Sequence, residues 1–353
     1  MRKNFYVLLR LFSSGQVVIN VMAVIFFASI VLSCGPDPQP EINDQKINPR
    51  QTHEALFSVS FPTGNDGWAC GRWGTVLHTM DGGKKWEVQN SGTDYTLSSI
   101  FFINPSHGWA VGNAGAIIHT TDGGNTWEKQ KSPVPFRLMK VDFVSPLKGW
   151  IVSERTHILA TSDGGRTWNI QFADDDFILK SVSFCDERHG WAVGEYGYIY
   201  HTENGGDTWQ KQSGHFGFSP ESGAVVGDPF LFDVAAIDPR TAWAVGIDGH
   251  VIKTLDGGMT WTKIETGAPR TQFFCVAANP AGTVLIGGKG TFLASTDNGE
   301  SWQNQIFEPS IIYGWIYGLS WRGTSEFVAV GWDGSIYFSD VGNSRTVRHR
   351  AGM

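Results

Sequence analysis

Residues 97–130, LSSIFFINPSHGWAVGNAGAIIHTTDGGNTWEKQ, decide the fold. Four short runs with strand character lie here, at 99–103, 109–112, 116–120 and 126–130. They are separated by Asn-Pro-Ser-His-Gly, Asn-Ala-Gly and Asp-Gly-Gly-Asn, residues that set φ or hydrogen-bond their own backbone in turns. Short runs bounded by such clusters read as strands joined by tight turns. The unit recurs, and its clearest mark is a box, [Ser/Thr]-x-Asp-x-Gly-x-[Thr/Ser]-Trp, at 79–86, 120–127, 161–168, 202–209, 254–261 and 295–302. Lys85 stands at the Thr position of the first copy, and Asn204 at the acidic position of the fourth. The acidic position steps by 41, 41, 41, 52 and 41 residues, and a worn copy follows with Arg345 in place of Trp. Four strands per unit of about 40 residues predict an all-β chain, a seven-bladed β-propeller of four-stranded antiparallel blades.

Working outward, the units fall near 54–90, 96–131, 137–172, 178–213, 230–264, 271–306 and 314–350, within a body spanning 51–353. An insertion at 214–229 accounts for the 52-residue step. Either 346–350 or the stretch near 48–54 supplies the outer strand that closes the ring. The repeated residues have a structural reading. Asp81, Asp122, Asp163, Asn204, Asp256 and Asp297 each sit where a side-chain oxygen accepts turn amides. The glycines after them allow φ > 0 in the hairpin. Trp86, Trp127, Trp168, Trp209, Trp261 and Trp302 open the fourth strand and bury area against turn and neighbour. A second column, Trp68, Trp109, Trp150, Trp191 and Trp243, opens the second strand. His78, His119 and His201 are one position in three blades, so they form no metal cluster. The same argument removes the box acids as catalysts.

The N-terminus has a different character. Arg2, Lys3 and Arg10 precede an apolar run at 21–32, too short for a comfortable membrane span, which reads as a signal peptide over 1–33. Residues 31–35, VLSCG, resemble the lipobox of bacterial lipoproteins. That resemblance implies cleavage before Cys34 and a lipid on its sulfur; an uncleaved anchor is the alternative. Residues 34–50 are polar and proline-rich and read as a flexible tether. Gly35 after the Cys favours the outer membrane by analogy with lipoprotein sorting, so the expected location is the cell envelope, with membrane contact through the lipid. The signal segment holds three of the 27 basic residues and none of the 34 acidic ones, leaving a formal charge of −10 on the remainder. No basic run appears, which argues against nucleic acid. Cys70, Cys185 and Cys275 lie in different units inside apolar runs and read as small buried hydrophobes. No zinc spacing, G-x-S-x-G, H-E-x-x-H or phosphate loop is present, so no metal, cofactor or catalytic residue is expected.

The units at 108–127 (GWAVG…HTTDGGNTW) and 190–209 resemble the Asp-box (BNR) repeat and, more closely, the photosystem II stability/assembly factor family of propellers. The resemblance covers 54–340 and implies a non-enzymatic propeller that binds a protein partner at or near a membrane. Asp boxes also occur in sialidases and xyloglucan-cleaving glycosidases. A carbohydrate-active enzyme or glycan-binding propeller at the envelope is therefore the alternative, although the Arg-Ile-Pro segment of sialidases is absent.

In a propeller, the turns joining strands two and three share one face with the connections between blades, and the boxes occupy the other. Scaffold-positioned loops carry function. The candidate partner-binding residues are accordingly Arg72, Trp73, Arg155, Glu195, Tyr196, Asp248 and Trp332 from the turns, with Arg137, Arg270 and Trp315 from the connections. Trp, Tyr and Arg dominate binding hot spots.

Overall fold

The computed structural model describes residues 54–174 and 177–341, with the backbone of Arg345–Arg350. The expected signal segment, Cys34, the tether, Asp175 and Asp176 lie outside the described residues. Seven antiparallel sheets follow one another along the chain, forming a seven-bladed β-propeller. Blade one comprises Leu56–Ser60, Gly67–Gly71, Val76–Thr79 and Glu87–Gln89; blade two Leu97–Phe102, Gly108–Gly112, Ile117–Thr120 and Glu128–Gln130. Blade three comprises Leu138–Phe143, Gly149–Ser153, His157–Thr161 and Asn169–Ala173; blade four Leu179–Phe184, Gly190–Gly194, Ile199–Thr202 and Gln210–Ser213. Blade five comprises Leu231–Ala236, Ala242–Gly246, Val251–Thr254 and Thr262–Lys263; blade six Phe273–Ala278, Val284–Gly288, Phe292–Ser295 and Gln303–Asn304. Blade seven comprises Ile316–Arg322, Glu326–Gly331, Ser335–Asp340 and Arg345–Arg350.

Of the two closures left open by the sequence, the C-terminal one is found. Arg345–Arg350 pairs antiparallel with Ser335–Asp340, so blade one is wholly N-terminal and blade seven wholly C-terminal. The ring is closed by side chains: the Phe61 amide donates to Ser320 Oγ at 3.0 Å, and Phe61 meets Phe338 edge-on. Ile306, expected to end blade six, instead begins Ile306–Glu308, which pairs parallel with Arg345–Arg350 as a fifth strand. It covers the outer edge of Arg345–Arg350, and a covered edge offers no free ladder to another chain. The insertion folds as a small hairpin of Phe216–Phe218 against Val225–Gly227.

No blade has a core of its own. Each hydrophobic cluster is shared by two neighbours, as when Trp109, Val111 and Ile117 of blade two pack on Val141, Phe143 and Leu159 of blade three. Stability is thus a sum of repeat and interface terms. The interface is a stack. His119 lies on Trp109 at 4.7 Å, Trp109 on Phe143 at 3.6 Å, and Trp168 meets Phe143 edge-on at 5.8 Å. The same stack joins His78, Trp68, Phe102 and Trp127 between blades one and two. The glycine before four of the second-strand Trp residues, Gly67, Gly108, Gly149 and Gly190, leaves room for a phenylalanine ring of the stack: a Cβ on Gly108 would meet Phe102 at 2.5 Å. Among the described residues no helix is long and apolar enough to cross a membrane.

Candidate functional site

The box face is engaged in its own architecture. In blade two, Asp122 Oδ1 accepts the Thr126 amide at 2.9 Å and the Thr120 hydroxyl at 2.8 Å, while Thr120 Oγ1 accepts the Gly124 amide. Gly123 and Gly124 have φ of 74° and 84°, the left-handed region such a turn requires. Asn204 performs the same role: its Oδ1 accepts the Thr208 amide and its Nδ2 donates to Thr208 Oγ1. These hydrogen bonds hold the carboxyls below the usual range; the Thr260 hydroxyl and amide bring Asp256 to about 2. The boxes of blades two to five are each also tied by a glutamine to the blade before. Gln130 Nε2 donates to Gly164 O at 3.0 Å, and its Oε1 accepts the Trp168 indole N–H at 3.0 Å. Gln89, Gln171 and Gln212 repeat this brace.

The opposite face is built with equal regularity. The first residue of each turn between strands two and three donates its amide to the carbonyl just before that blade's first strand: Arg72 to Ala55, Asn113 to Thr96, Glu154 to Arg137, Glu195 to Ile178, Ile247 to Phe230, Lys289 to Gln272 and Trp332 to Trp315. The next residue of the turn takes positive φ, 53° at Trp73, 62° at Arg155, 53° at Tyr196 and 57° at Asp248. A non-glycine residue there costs about 1 kcal/mol, and the turn thrusts its side chain away from the sheet. Trp73 is 70% exposed and Trp332 49% exposed, with Tyr313 in the connection before blade seven at 92%. Arg72 and Arg270 are also exposed.

Other candidates brace the scaffold. Glu195 accepts the Ile178 amide at 3.2 Å and lies 3.9 Å from the Lys180 ammonium. Tyr196 packs between Phe177, Phe216 and Phe230, pinning the inserted hairpin. Arg137 Nε donates to Ser98 Oγ at 3.1 Å, and the Arg155 guanidinium lies over the Phe136 ring at 4.5 Å. Asp174 accepts the Tyr200 hydroxyl. Asp248 is exposed on blade five. The structure brings Trp315 and Trp332 together at 5.6 Å, whereas Arg72, Arg155 and Arg270 belong to different parts of the ring.

The sequence reading passed over the channel. First strands from all seven blades line a central cavity of about 490 Å³. Across it, Lys140 of blade three reaches Asp233 of blade five at 3.4 Å. Asp233 also accepts the Ser181 hydroxyl at 2.6 Å and the Val276 amide at 3.0 Å. Asp142 accepts the Phe184 amide, yet burial pushes its carboxyl up to about 6. The signal was present: Lys140, Asp142 and Asp233 interrupt first strands that are otherwise apolar or small.

Comparison with known proteins agrees with this architecture. A solved structure described as YCF48 bound to D1 peptide superposes with TM-score 0.66 at 20% identity, over 83% of this chain and 93% of that one. YCF48 from Cyanidioschyzon merolae gives 0.67 at 20% identity, over 83% and 98%. The GH74 enzyme of Niastella koreensis gives 0.67 at 14% identity, over 86% of this chain and 55% of that chain. At such identities the likeness is one of fold. No curated protein sequence matches the chain. The family described as photosynthesis system II assembly factor YCF48 matches residues 41–132, 130–215 and 221–311, and the chain belongs to that family.

Proposed function

We propose that this chain is a non-enzymatic propeller that binds a protein partner, or assists its assembly, through the face opposite the boxes. A lipid on Cys34 would hold it at the cell envelope, at the outer membrane. The observation that carries the reading is the exposure of Trp73, Tyr313 and Trp332 beside Arg72 on that face, while the Asp and Trp columns of the other face are engaged in hydrogen bonds and stacking. Large aromatic and Arg groups on a rigid frame are what a binding hot spot needs. One propeller of this fold is described as bound to a D1 peptide, which supports a peptide of a protein partner as the ligand here. The tether rests on the sequence of 31–35 alone.

The likeness to a GH74 enzyme supports a second reading, glycan binding or cleavage. Glu195, an acid it would draw on, is occupied by the Ile178 amide and Lys180. Capture from envelope membranes separates the two. The protein should repeatedly recover one partner, and the triple variant Arg72→Ala, Trp73→Ala, Trp332→Ala should lower recovery roughly tenfold or more. Undiminished recovery by that variant sinks the proposal, as does polysaccharide hydrolysis lost in Glu195→Gln or Asp248→Asn.

A further inference from the structure

The mouth of the central channel is chemically lopsided. One position of the first strand recurs in every blade: Phe57, Ser98, Met139, Lys180, Phe232, Phe274 and Tyr317. Four consecutive blades, five to one across the ring closure, place aromatic rings there. Phe232 lies 5.5 Å from Phe274, Phe274 5.6 Å from Tyr317, and Tyr317 5.3 Å from Phe57. The arc is continuous, and its rings are half-buried rather than sealed into a blade interface. Burial nonetheless raises the Tyr317 phenol to about 12.

One residue further along the same strands lies a polar floor. Lys140 and Asp233 follow Met139 and Phe232 directly in sequence. The Lys140 ammonium has three N–H donors and makes one hydrogen bond among the described residues, to Asp233. Asp233 receives three, from Lys140, Ser181 and Val276, and a carboxylate has about four lone-pair sites. The floor therefore has donors to spare and one acceptor site. A partly satisfied ion pair of this kind adds little to stability, since desolvation offsets its attraction.

We infer that the channel mouth is a socket for one tyrosine side chain of the protein partner, its ring against the Phe232–Phe274–Tyr317–Phe57 arc and its hydroxyl on Lys140 and Asp233. A phenol suits both parts: an apolar ring and a tip that accepts from the ammonium and donates to the carboxylate. Phenylalanine would leave the floor unsatisfied, and a carboxylate would face Asp233 and Asp142. The inference rests on the partner reading and adds the chemistry of the anchor.

Saturation-transfer NMR on the full chain in detergent, with N-acetyltyrosinamide, N-acetylphenylalaninamide and N-acetylalaninamide as probes, tests it. The tyrosine probe should show ring-proton transfer several-fold above the phenylalanine probe, with none for alanine. Phe274→Ala should cut the tyrosine signal at least fivefold. Lys140→Gln should erase the preference for tyrosine over phenylalanine while leaving ring contact. Ser98→Trp, which fills the mouth from a blade outside the arc and leaves every arc and floor residue in place, keeps the test intact if Phe274→Ala does not fold; it should abolish the signal. Equal transfer from all three probes, or a tyrosine signal that survives Ser98→Trp, overturns the inference. Partner capture with no tyrosine binding overturns it and leaves the partner reading standing. Tyrosine binding with no captured partner supports the socket and counts against the partner reading alone.

Discussion

At the scale of single residues, the histidines that precede the boxes are the least expected participants. His119 is stacked on Trp109, and its Nε2 is buried with no hydrogen-bond partner among the described residues. Burial, aided by nearby His107, lowers its pKa from 6.5 to about 4; His78 and His201 shift the same way, with burial again the main cause. A folded-state pKa below the unfolded one means the neutral ring fits the fold. Its contribution is present in full above pH 6.5 and is lost as pH falls toward 4. The ring is only partly buried, so solvent screening keeps the acid loss from His119 alone below the roughly 3 kcal/mol that about 1.4 kcal/mol per pKa unit would give. His119→Phe, which keeps the stack and removes the titration, should shrink the drop in denaturant stability between pH 7 and pH 4.5 by about 1–3 kcal/mol. An unchanged drop would show that His119 is not what acid attacks. The sequence displayed these histidines as a column, but the stack beneath His78 and His119 also needs Phe102 and Phe143, which repeat with Phe184 on Trp150 just as regularly and passed as ordinary strand hydrophobes.

At the scale of the element, the fourth strand of each blade does more than finish a sheet. Gln89, Gln130, Gln171 and Gln212 stand three positions after the box Trp and clamp the next blade's box. Replacing Gln130 by Ala leaves the Trp168 indole without its partner and removes one of two donors from the Gly164 carbonyl, which keeps the Trp109 indole at 3.2 Å; an unsatisfied buried polar group costs about 1–3 kcal/mol. Gln130→Ala should lower stability by that amount, read by chemical denaturation, with partner capture unchanged; a neutral result would mean the clamp is ornamental. Ile264 stands at the corresponding place in blade five, and there the Trp243 and Trp302 indoles are buried without a hydrogen bond among the described residues. Strand order and blade number were legible because the box and its spacing are local signals. The clamp was not, because Gln three residues after Trp has meaning only once the neighbouring blade is in place. The strand Ile306–Glu308 escaped for a similar reason: its partner, Arg345–Arg350, is distant in sequence.

At the scale of the molecule, the ring sorts its residues into two faces and a channel. Identical positions in successive blades carry the Asp, Trp, Gln and His columns, and these hold the blades together. The residues proposed for binding fall where the units differ: Trp73 against Ala114 in the same turn, the Trp315–Trp332 pair, and the four-ring arc of the channel mouth. The sequence exposed the first two as turn residues in an otherwise regular frame. It concealed the third, because Lys140 and Asp233 are 93 positions apart and only the closed ring brings them within 3.4 Å. Whether the partner meets the face opposite the boxes is decided by site-specific photo-crosslinking in envelope membranes. A photoreactive residue is placed at Trp73, Tyr313 or Trp332 on one face, and at Met80, Leu255 or Met259, all exposed beside the boxes, on the other. One crosslinked partner is expected from the first three positions and none from the second three; the same partner trapped from Met80, Leu255 or Met259 instead would place the contact on the box face and overturn the proposal.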